Sequence, residues 1–434
     1  MDGSVRDSSR GRATSGRHGV GEVERTGGSA RTRGEVVERS VDVLVVGAGP
    51  AGLGAATRLA RAGAGRIEVL ERERQPGGIP RHCFHGGFDG RHGPAYARGM
   101  ADDAVSAGAA LRTGVTVTGW AGPTTLETTG PRGIERVTAR AVLLATGARE
   151  RPRAARLIPG TRPAGVLTTG ELQQAVHLYG RRIGTRAVVV GAGPLAHHAV
   201  LTLRAGGAET VALVTDRPPP PLPGALRRTV PVLHRTTVTA LTGHGRLTGV
   251  RVRHRDGRAT TLACDTVVLT GDWIPDHELA RRGGVTLDPA TRGPAVDTGC
   301  RTTVPGVLAA GNLLRGGERA VLAAAEGRAA AVQVLGHLAG EPWPGPGLPV
   351  EAAHPLLWVS PNRVHPDGPA PPHNRFLLRA AEALAPPRLT VRQDGLLLHR
   401  QLLPRPVLPG RPLPLSARWT RNADPDGGPV RITL

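Results

Sequence analysis

Regular apolar patterning begins at Val41. Upstream, residues 1–40 mix Gly, Ser, Arg and Glu with almost no apolar period, which predicts a disordered leader. Val41-Asp-Val-Leu-Val-Val-Gly47 is then a nearly continuous apolar run, the pattern of a strand buried on both faces of a parallel sheet. A Gly-rich turn, an Ala- and Leu-rich helical stretch and a second strand at Ile67–Leu70 follow. The same order returns further on. Val45-Val-Gly-Ala-Gly-Pro50 recurs as Val189-Val-Gly-Ala-Gly-Pro194, offset by 144 residues, with its second strand at Thr210–Val214. Two such units predict two dinucleotide-sized sites.

Between the units another buried strand is expected at Ala141–Ala145, and beyond the second unit strands at 249–254 and 266–270. The proline run Pro218–Pro221 reads as a loop. A helix of small residues over about Glu318–Leu338 closes this part, and the Pro/Gly-rich stretch 341–349 reads as a linker. In 350–434 the segments Leu389–Gln393 and Leu396–Gln401 flank Asp394-Gly395, a two-residue hairpin signal, and Val430–Leu434 suggests a further strand. The expected fold class is α/β: two Rossmann-like, three-layer ββα dinucleotide-binding domains plus a small β-rich C-terminal appendage.

The chain carries a formal charge of +21 and contains no lysine, so every basic residue is arginine. Schiff-base, Walker-type and other lysine chemistries are therefore excluded. The charge is spread without a dense block, and aromatics for base stacking amount to 2%. Both observations favour a GC-rich composition over nucleic-acid binding. No apolar run approaches the roughly 18 residues of a membrane span. The N-terminus shows neither an apolar export core nor a twin arginine, so a cytoplasmic chain is expected. Cys83, Cys264 and Cys300 form no local pair, so neither a redox CxxC nor a cysteine metal knuckle is encoded, and no metal is expected.

The first Gly-rich turn carries the most specific chemistry. Gly47 allows the tight turn after the strand, Gly49 lets backbone approach a pyrophosphate, and Gly52 lets helix and strand pack closely. Pro50 and Ala51 open the helix whose N–H groups face the diphosphate. Glu71 lies 19 residues past Gly52, at the end of the second strand, where a carboxylate accepts ribose hydroxyls.

Glu71-Arg72 through Gly77-Gly78, Leu144-Ala145-Thr146-Gly147 and Thr303-Val-Pro-Gly-Val-Leu-Ala-Ala-Gly311-Asn312 occur in this order. They resemble the acid-then-Gly-Gly stretch, the crossover strand and the last flavin motif of the FAD-dependent pyridine nucleotide-disulfide oxidoreductase superfamily. Gly78-Ile-Pro-Arg-His-Cys83, Gly147-Ala-Arg-Glu-Arg-Pro152, Thr168-Thr-Gly-Glu-Leu172 and Thr270-Gly-Asp-Trp-Ile-Pro-Asp276 look most like the larger flavin subunits of opine oxidases and hydrogen cyanide synthase.

This resemblance implies FAD as cofactor and a discontinuous FAD-binding domain over 41–160 and 285–340. It places an NAD(P)-binding-like domain over 161–284. It also implies oxidation of C–N bonds in amino-acid-like or opine-like small molecules, with two partners, a second flavoprotein and an iron–sulfur subunit. An NAD(P)H-dependent flavin reductase feeding a protein acceptor, and a flavoprotein subunit inactive without its partner, stay open beside it. The last flavin motif usually ends in Asp; Asn312 stands here, an amide that can accept the same ribityl bond and also donate one. The helix after it would point its N-terminus at the flavin ring.

The second turn keeps Gly191 and Gly193 but has Ala196 in third place, followed by His197-His198. Asp216 after its second strand would suit NAD, and the adjacent Arg217 a 2′-phosphate. NAD(P) binding and a domain that has lost its nucleotide both stay open. His82, Cys83 and His85 stand where disulfide reductases of the superfamily place two cysteines, but only one is present. They are candidate catalytic residues, through a proton held on His, beside the plainer reading of loop residues satisfied by backbone. Trp273 and Asp276 are candidates for the interdomain cleft.

Overall fold

A computed structural model describes residues 36–191, 193–217 and 230–434. The first strand, β1 (Val37–Val46), starts before Val41. The leader boundary at residue 40 is therefore too late, and residues 1–35 lie outside the described part. The polar start of β1 gives no apolar signal because ion pairs neutralise it. Arg39 meets Glu68 at 2.8 Å, and Arg112 bridges Glu68 and Glu135, each at 2.7 Å.

Beyond β1 come α1 (Pro50–Arg61), β2 (Ile67–Glu71), α2 (Gly93–Ser106) and β3 (Ala110–Thr113), then a meander of β4 (Thr116–Gly122), β5 (Thr125–Gly130) and β6 (Gly133–Leu144). The strand order is β3-β2-β1-β6-β5-β4, with β3, β2, β1 and β6 parallel. Side chains of β1 alternate between two cores, as the period of a strand requires. Val43 and Val45 meet Leu53 and Leu59 of α1, whereas Leu44 and Val46 meet Leu126 and Val137 of the meander. All but Val46 are fully buried.

After β7 (Ala148–Glu150) the second unit is built from β8 (Val166–Thr168), α3 (Thr169–Gln173), β9 (Arg186–Val190), α4 (Pro194–Ala205), β10 (Glu209–Val214) and β11 (Val232–Leu233). A three-stranded antiparallel sheet, β12 (Thr236–Thr242), β13 (Gly249–His254) and β14 (Ala259–Ala263), precedes β15 (Thr266–Leu269). The main sheet of this unit is parallel, in the order β8-β15-β9-β10-β11. The proline run from Pro218 lies outside the described residues.

The chain returns through β16 (Trp273–Pro275), antiparallel to β7, so the two crossovers between units are hydrogen-bonded to each other. Next, β17 (Val307–Ala309) joins the first sheet beside β6, and α5 (Ala320–Leu338) packs on α1. That packing needs glycine: a Cβ on Gly327 would lie 1.9 Å from the Ala51 carbonyl oxygen, and one on Gly54 2.9 Å from that of Ala324. The small-residue composition of α5 thus sets how near the two helices come.

Apart from two 3-10 turns (Pro372–Asn374 and Thr420–Asn422), the regular structure of the C-terminal part is strand: β18 (Leu348–Ala352), β19 (Leu356–Ser360), β20 (Arg363–Val364), β21 (Arg375–Ala380), β22 (Arg388–Gln393), β23 (Leu396–Leu402), β24 (Pro412–Ser416) and β25 (Val430–Thr433). The stretch 341–349 is not linker throughout, since β18 takes its last two residues. Asp394 and Gly395, both at positive φ, turn the β22–β23 hairpin. Sheets β20-β18-β25-β22-β23 and β19-β21-β24 share one core around Phe376 and Trp419. Among the described residues no helix is long and apolar enough to cross a membrane.

Candidate functional site

Four motifs far apart in sequence meet at the first turn of α1. Gly47 has φ +104°, and a Cβ there would lie 2.4 Å from the Ala145 carbonyl oxygen. Gly52 allows no Cβ either, since it would fall 1.9 Å from the Gly47 oxygen. Gly78, at φ +60°, places its missing Cβ 3.0 Å from the Gly49 Cα, and Gly311, at φ +78°, 2.6 Å from the Ala51 Cβ. Gly49 differs from the others: it caps α1 with extended backbone, and nothing lies within 4 Å of its missing Cβ. Pro50 takes the first helical position, where its absent N–H costs nothing. A backbone cradle at a helix N-terminus with open space above its middle glycine fits a diphosphate.

The Glu71 carboxylate is buried and accepts N–H from Ala48 and from Glu73, each at 2.9 Å. These bonds hold it at the end of β2, and each oxygen keeps a lone pair for a ribose hydroxyl. Arg72 turns outward and lies 3.6 Å from Asp276. Thr146 donates to the Asp276 carbonyl at 2.8 Å, and Gly147 accepts the Asp276 N–H at 2.9 Å. The crossover motif therefore grips the return strand. Asn312 directs its amide to Glu318, accepting its N–H at 3.1 Å and donating to its carbonyl at 3.2 Å.

In the second unit Gly191 (φ +132°) packs on Thr270, whose hydroxyl would lie 2.0 Å from an added Cβ. Gly193 (φ +87°) caps α4 with open space around it, Ala196 is fully buried, and Asp216 is exposed just past β10.

Residues 82–85 span the gap between the units. The His82 Nδ1 lies 3.3 Å and the Cys83 Sγ 3.5 Å from the Gln173 Oε1. Phe84 stacks on His177 at 4.4 Å and His85 on His198 at 3.5 Å. Burial drives the His82 imidazole down to about 4 and the Cys83 thiol up to about 12. Near neutral pH the imidazole is thus uncharged and the sulfur is a thiol, not a nucleophilic thiolate. Cys83 has no second thiol to work with, because Cys264 and Cys300 are buried in other cores. Among the described residues no His/Cys/Asp/Glu group is arranged to hold a metal.

Sequence reasoning missed Gln173, Glu150 and His177. Glu150 is buried and accepts N–H from Gly170 at 2.8 Å and from Gly271 at 2.9 Å. Trp273 packs on the glycine pair 316–317, with the Cβ of a residue at 317 falling 2.7 Å from its Cδ1. None of these contacts follows a local spacing; the partners of Gln173 lie 91 and 90 residues away.

A nucleotide cradle on one parallel unit, a second parallel unit, and paired crossovers between them define a two-dinucleotide flavoprotein oxidoreductase. Residues 41–327 match the pyridine nucleotide-disulphide oxidoreductase family, and the chain belongs to it. It is an FAD-dependent oxidoreductase, in a family whose members bind FAD and NAD(P).

The chain is 30% identical over 341 residues to an opine oxidase subunit from Agrobacterium tumefaciens, covering 68% of this chain and 66% of that one. It is 29% identical over 259 residues to the alpha subunit of sarcosine oxidase from Rhizobium meliloti, covering 56% of this chain but 25% of the other. The chain therefore spans less than two thirds of these relatives' own length. Among solved structures, T. acidophilum thioredoxin reductase superposes with a TM-score of 0.58 at 26% identity, over 68% of this chain and 98% of that one. L-proline dehydrogenase from P. horikoshii, at 16% identity and TM-score 0.54, covers 70% and 57% and shares the fold.

Proposed function

We propose that this flavoprotein oxidises a C–H bond beside nitrogen in an amino-acid-like or opine-like substrate and hands the electrons to a partner protein. The observation that carries this reading is the state of the residues between the two units. A disulfide reductase needs a dithiol there, whereas this chain offers one buried thiol, a neutral imidazole and an amide. That lining suits a small organic substrate better than thiol exchange. The relatives named for opine oxidase and sarcosine oxidase agree in substrate chemistry, and both are subunits of larger enzymes.

Gly47, Gly49, Pro50, Ala51, Gly52, Glu71, Gly78, Ala145, Thr146, Gly147, Gly311 and the Asn312 loop would hold FAD, which supplies hydride acceptance when bound. Arg72 would reach it only by leaving Asp276. The chain's own groups then orient the substrate and exclude water. His82, uncharged, turns its Nδ1–H to the Gln173 Oε1 and is too weak a base to keep a substrate proton near neutral pH, so it serves to orient. Electrons would leave to a second flavoprotein or iron–sulfur subunit.

The open turn at Gly193 supports a second reading, a reductase fed by NAD(P)H. One experiment separates them. Oxidised protein, co-expressed with candidate second-flavoprotein and iron–sulfur subunits, is mixed anaerobically with opines, N-methyl amino acids, proline analogues and glycine, and separately with NADH and NADPH. Bleaching of the flavin by one of the amino compounds supports the proposal. Rapid bleaching by a nicotinamide alone, with none by any amino compound, replaces it with the reductase reading.

A further inference from the structure

The loop from Gly311 to α5 is tied to the C-terminal strands along two buried routes. In the first, Asn312 closes residues 312–318 into a ring through both backbone groups of Glu318. The Glu318 carboxylate, whose side chain is 2% exposed, then meets Arg379 of β21 at 2.6 Å. That guanidinium lies over the Trp358 ring of β19, 5.1 Å from its centre. In the second, Gly311 donates its N–H to Glu326 of α5 at 3.2 Å. Glu326 pairs with Arg315, which also donates to the Ser360 hydroxyl at 3.1 Å. Both residues of the last flavin motif are thus anchored on β19 and β21.

Charge accounts for the residue types. A carboxylate as buried as Glu318 is unstable without a cation, and the C-terminal strands supply one. Asn312 must donate to a carbonyl as well as accept, which an ionised carboxylate cannot do. An Asp at 312 would set a third acid beside Glu318 and Glu326 and face the Glu318 carbonyl with an acceptor.

We infer that the C-terminal strand unit is a working part of the flavin site, with Arg379 as the positioning residue that holds Glu318 and, through it, the Asn312 loop. The inference rests on Gly311-Asn312 being a flavin contact. It makes Asn312 a matched partner of Glu318, so replacing it with the acid usual in the superfamily weakens the site.

The test uses the full chain. Apoprotein variants are titrated with FAD, and the visible circular dichroism of the bound flavin is recorded. Arg379→Met and Asn312→Asp are expected to bind FAD at least about tenfold more weakly and to change the dichroic bands. Arg379→Lys should restore part of both. Should Arg379→Met fail to fold, the Glu318→Gln/Arg379→Met pair, which leaves no lone buried charge, takes its place with the same expected direction. Binding within about twofold of the parent and unchanged bands in these variants, while Gly49→Val loses FAD, would overturn the inference alone. Retention of FAD by Gly49→Val as well would remove the site assignment beneath it.

Discussion

The Glu150 carboxylate accepts the Gly170 N–H at 2.8 Å and, with its other oxygen, the Gly271 N–H at 2.9 Å. One side chain on the outgoing crossover thereby fixes the start of α3 and the turn before the returning crossover. Glu150→Gln keeps the shape but points an amide N–H₂ at a backbone N–H. Leaving such a buried donor unpaired costs about 1–3 kcal/mol. A urea-unfolding midpoint lowered accordingly is expected, and an unchanged midpoint would show that the carboxylate does not hold both groups.

Gly49 and Gly52 should respond in opposite ways to the same added methyl. At Gly52 the new Cβ falls 1.9 Å from the Gly47 oxygen, a backbone atom that cannot step aside. Gly52→Ala is expected to cost about 1–3 kcal/mol through overpacking. At Gly49 the backbone is extended, at φ −82° and ψ −177°, with nothing within 4 Å. Gly49→Ala should leave the apoprotein within about 0.5 kcal/mol of the parent. Its methyl instead occupies the space a pyrophosphate needs, so FAD binding should weaken. Thermal melts of apoprotein beside FAD titrations check both, and unaltered FAD binding by Gly49→Ala would remove the pyrophosphate from this turn.

These positions also show what a sequence can reveal. The strands and the Gly-rich turns are legible because burial on both faces demands an apolar run, and a tight turn into a helix demands residues without Cβ. The polar start of β1 is illegible, because Arg39 is neutralised by Glu68, 29 residues away. Gln173 and Arg379 are illegible for the same reason: their partners are brought to them by the fold, in the second case across 61 residues. The resemblance implies a flavin role for Asn312 but gives no sign that its amide serves Glu318.

Trp273 stands on two glycines of the loop that carries Asn312. A Cβ on Gly316 (φ +68°) would lie 2.8 Å from the Trp273 Cβ, and one on Gly317 (φ +69°) 2.7 Å from its Cδ1. Gly317→Ala combines left-handed strain with a displaced indole, worth about 2 kcal/mol together. Removing the indole should relieve the second part. The Gly317→Ala/Trp273→Ala pair is therefore expected to cost less than the sum of the single changes. Strict additivity in denaturant unfolding would show that the loop does not rest on Trp273.

Stability should fall as the pH drops from 6.5 toward 4, and His82 should cause a definable share of it. Burial holds its imidazole at about 4, against 6.5 when unfolded, with Gln173, Arg81, His177 and Glu73 around it. Between those values the unfolded chain binds a proton that the fold refuses. The stabilising difference is complete above 6.5 and lost on the way down to 4, on the order of 3 kcal/mol in all. His198, also lowered to about 4 by burial and by His85 and His197, acts in the same direction. Glu150 acts against both. Burial raises its carboxyl above 4.5, so the fold takes up that proton before the unfolded chain does and gains stability as the pH falls. Urea midpoints at pH 7.5 and pH 5 for the parent and for His82→Asn isolate the His82 share, because all other groups cancel in the difference. The parent is expected to lose more stability between the two pH values than the variant, and equal losses would mean that His82 is not held neutral between the two units.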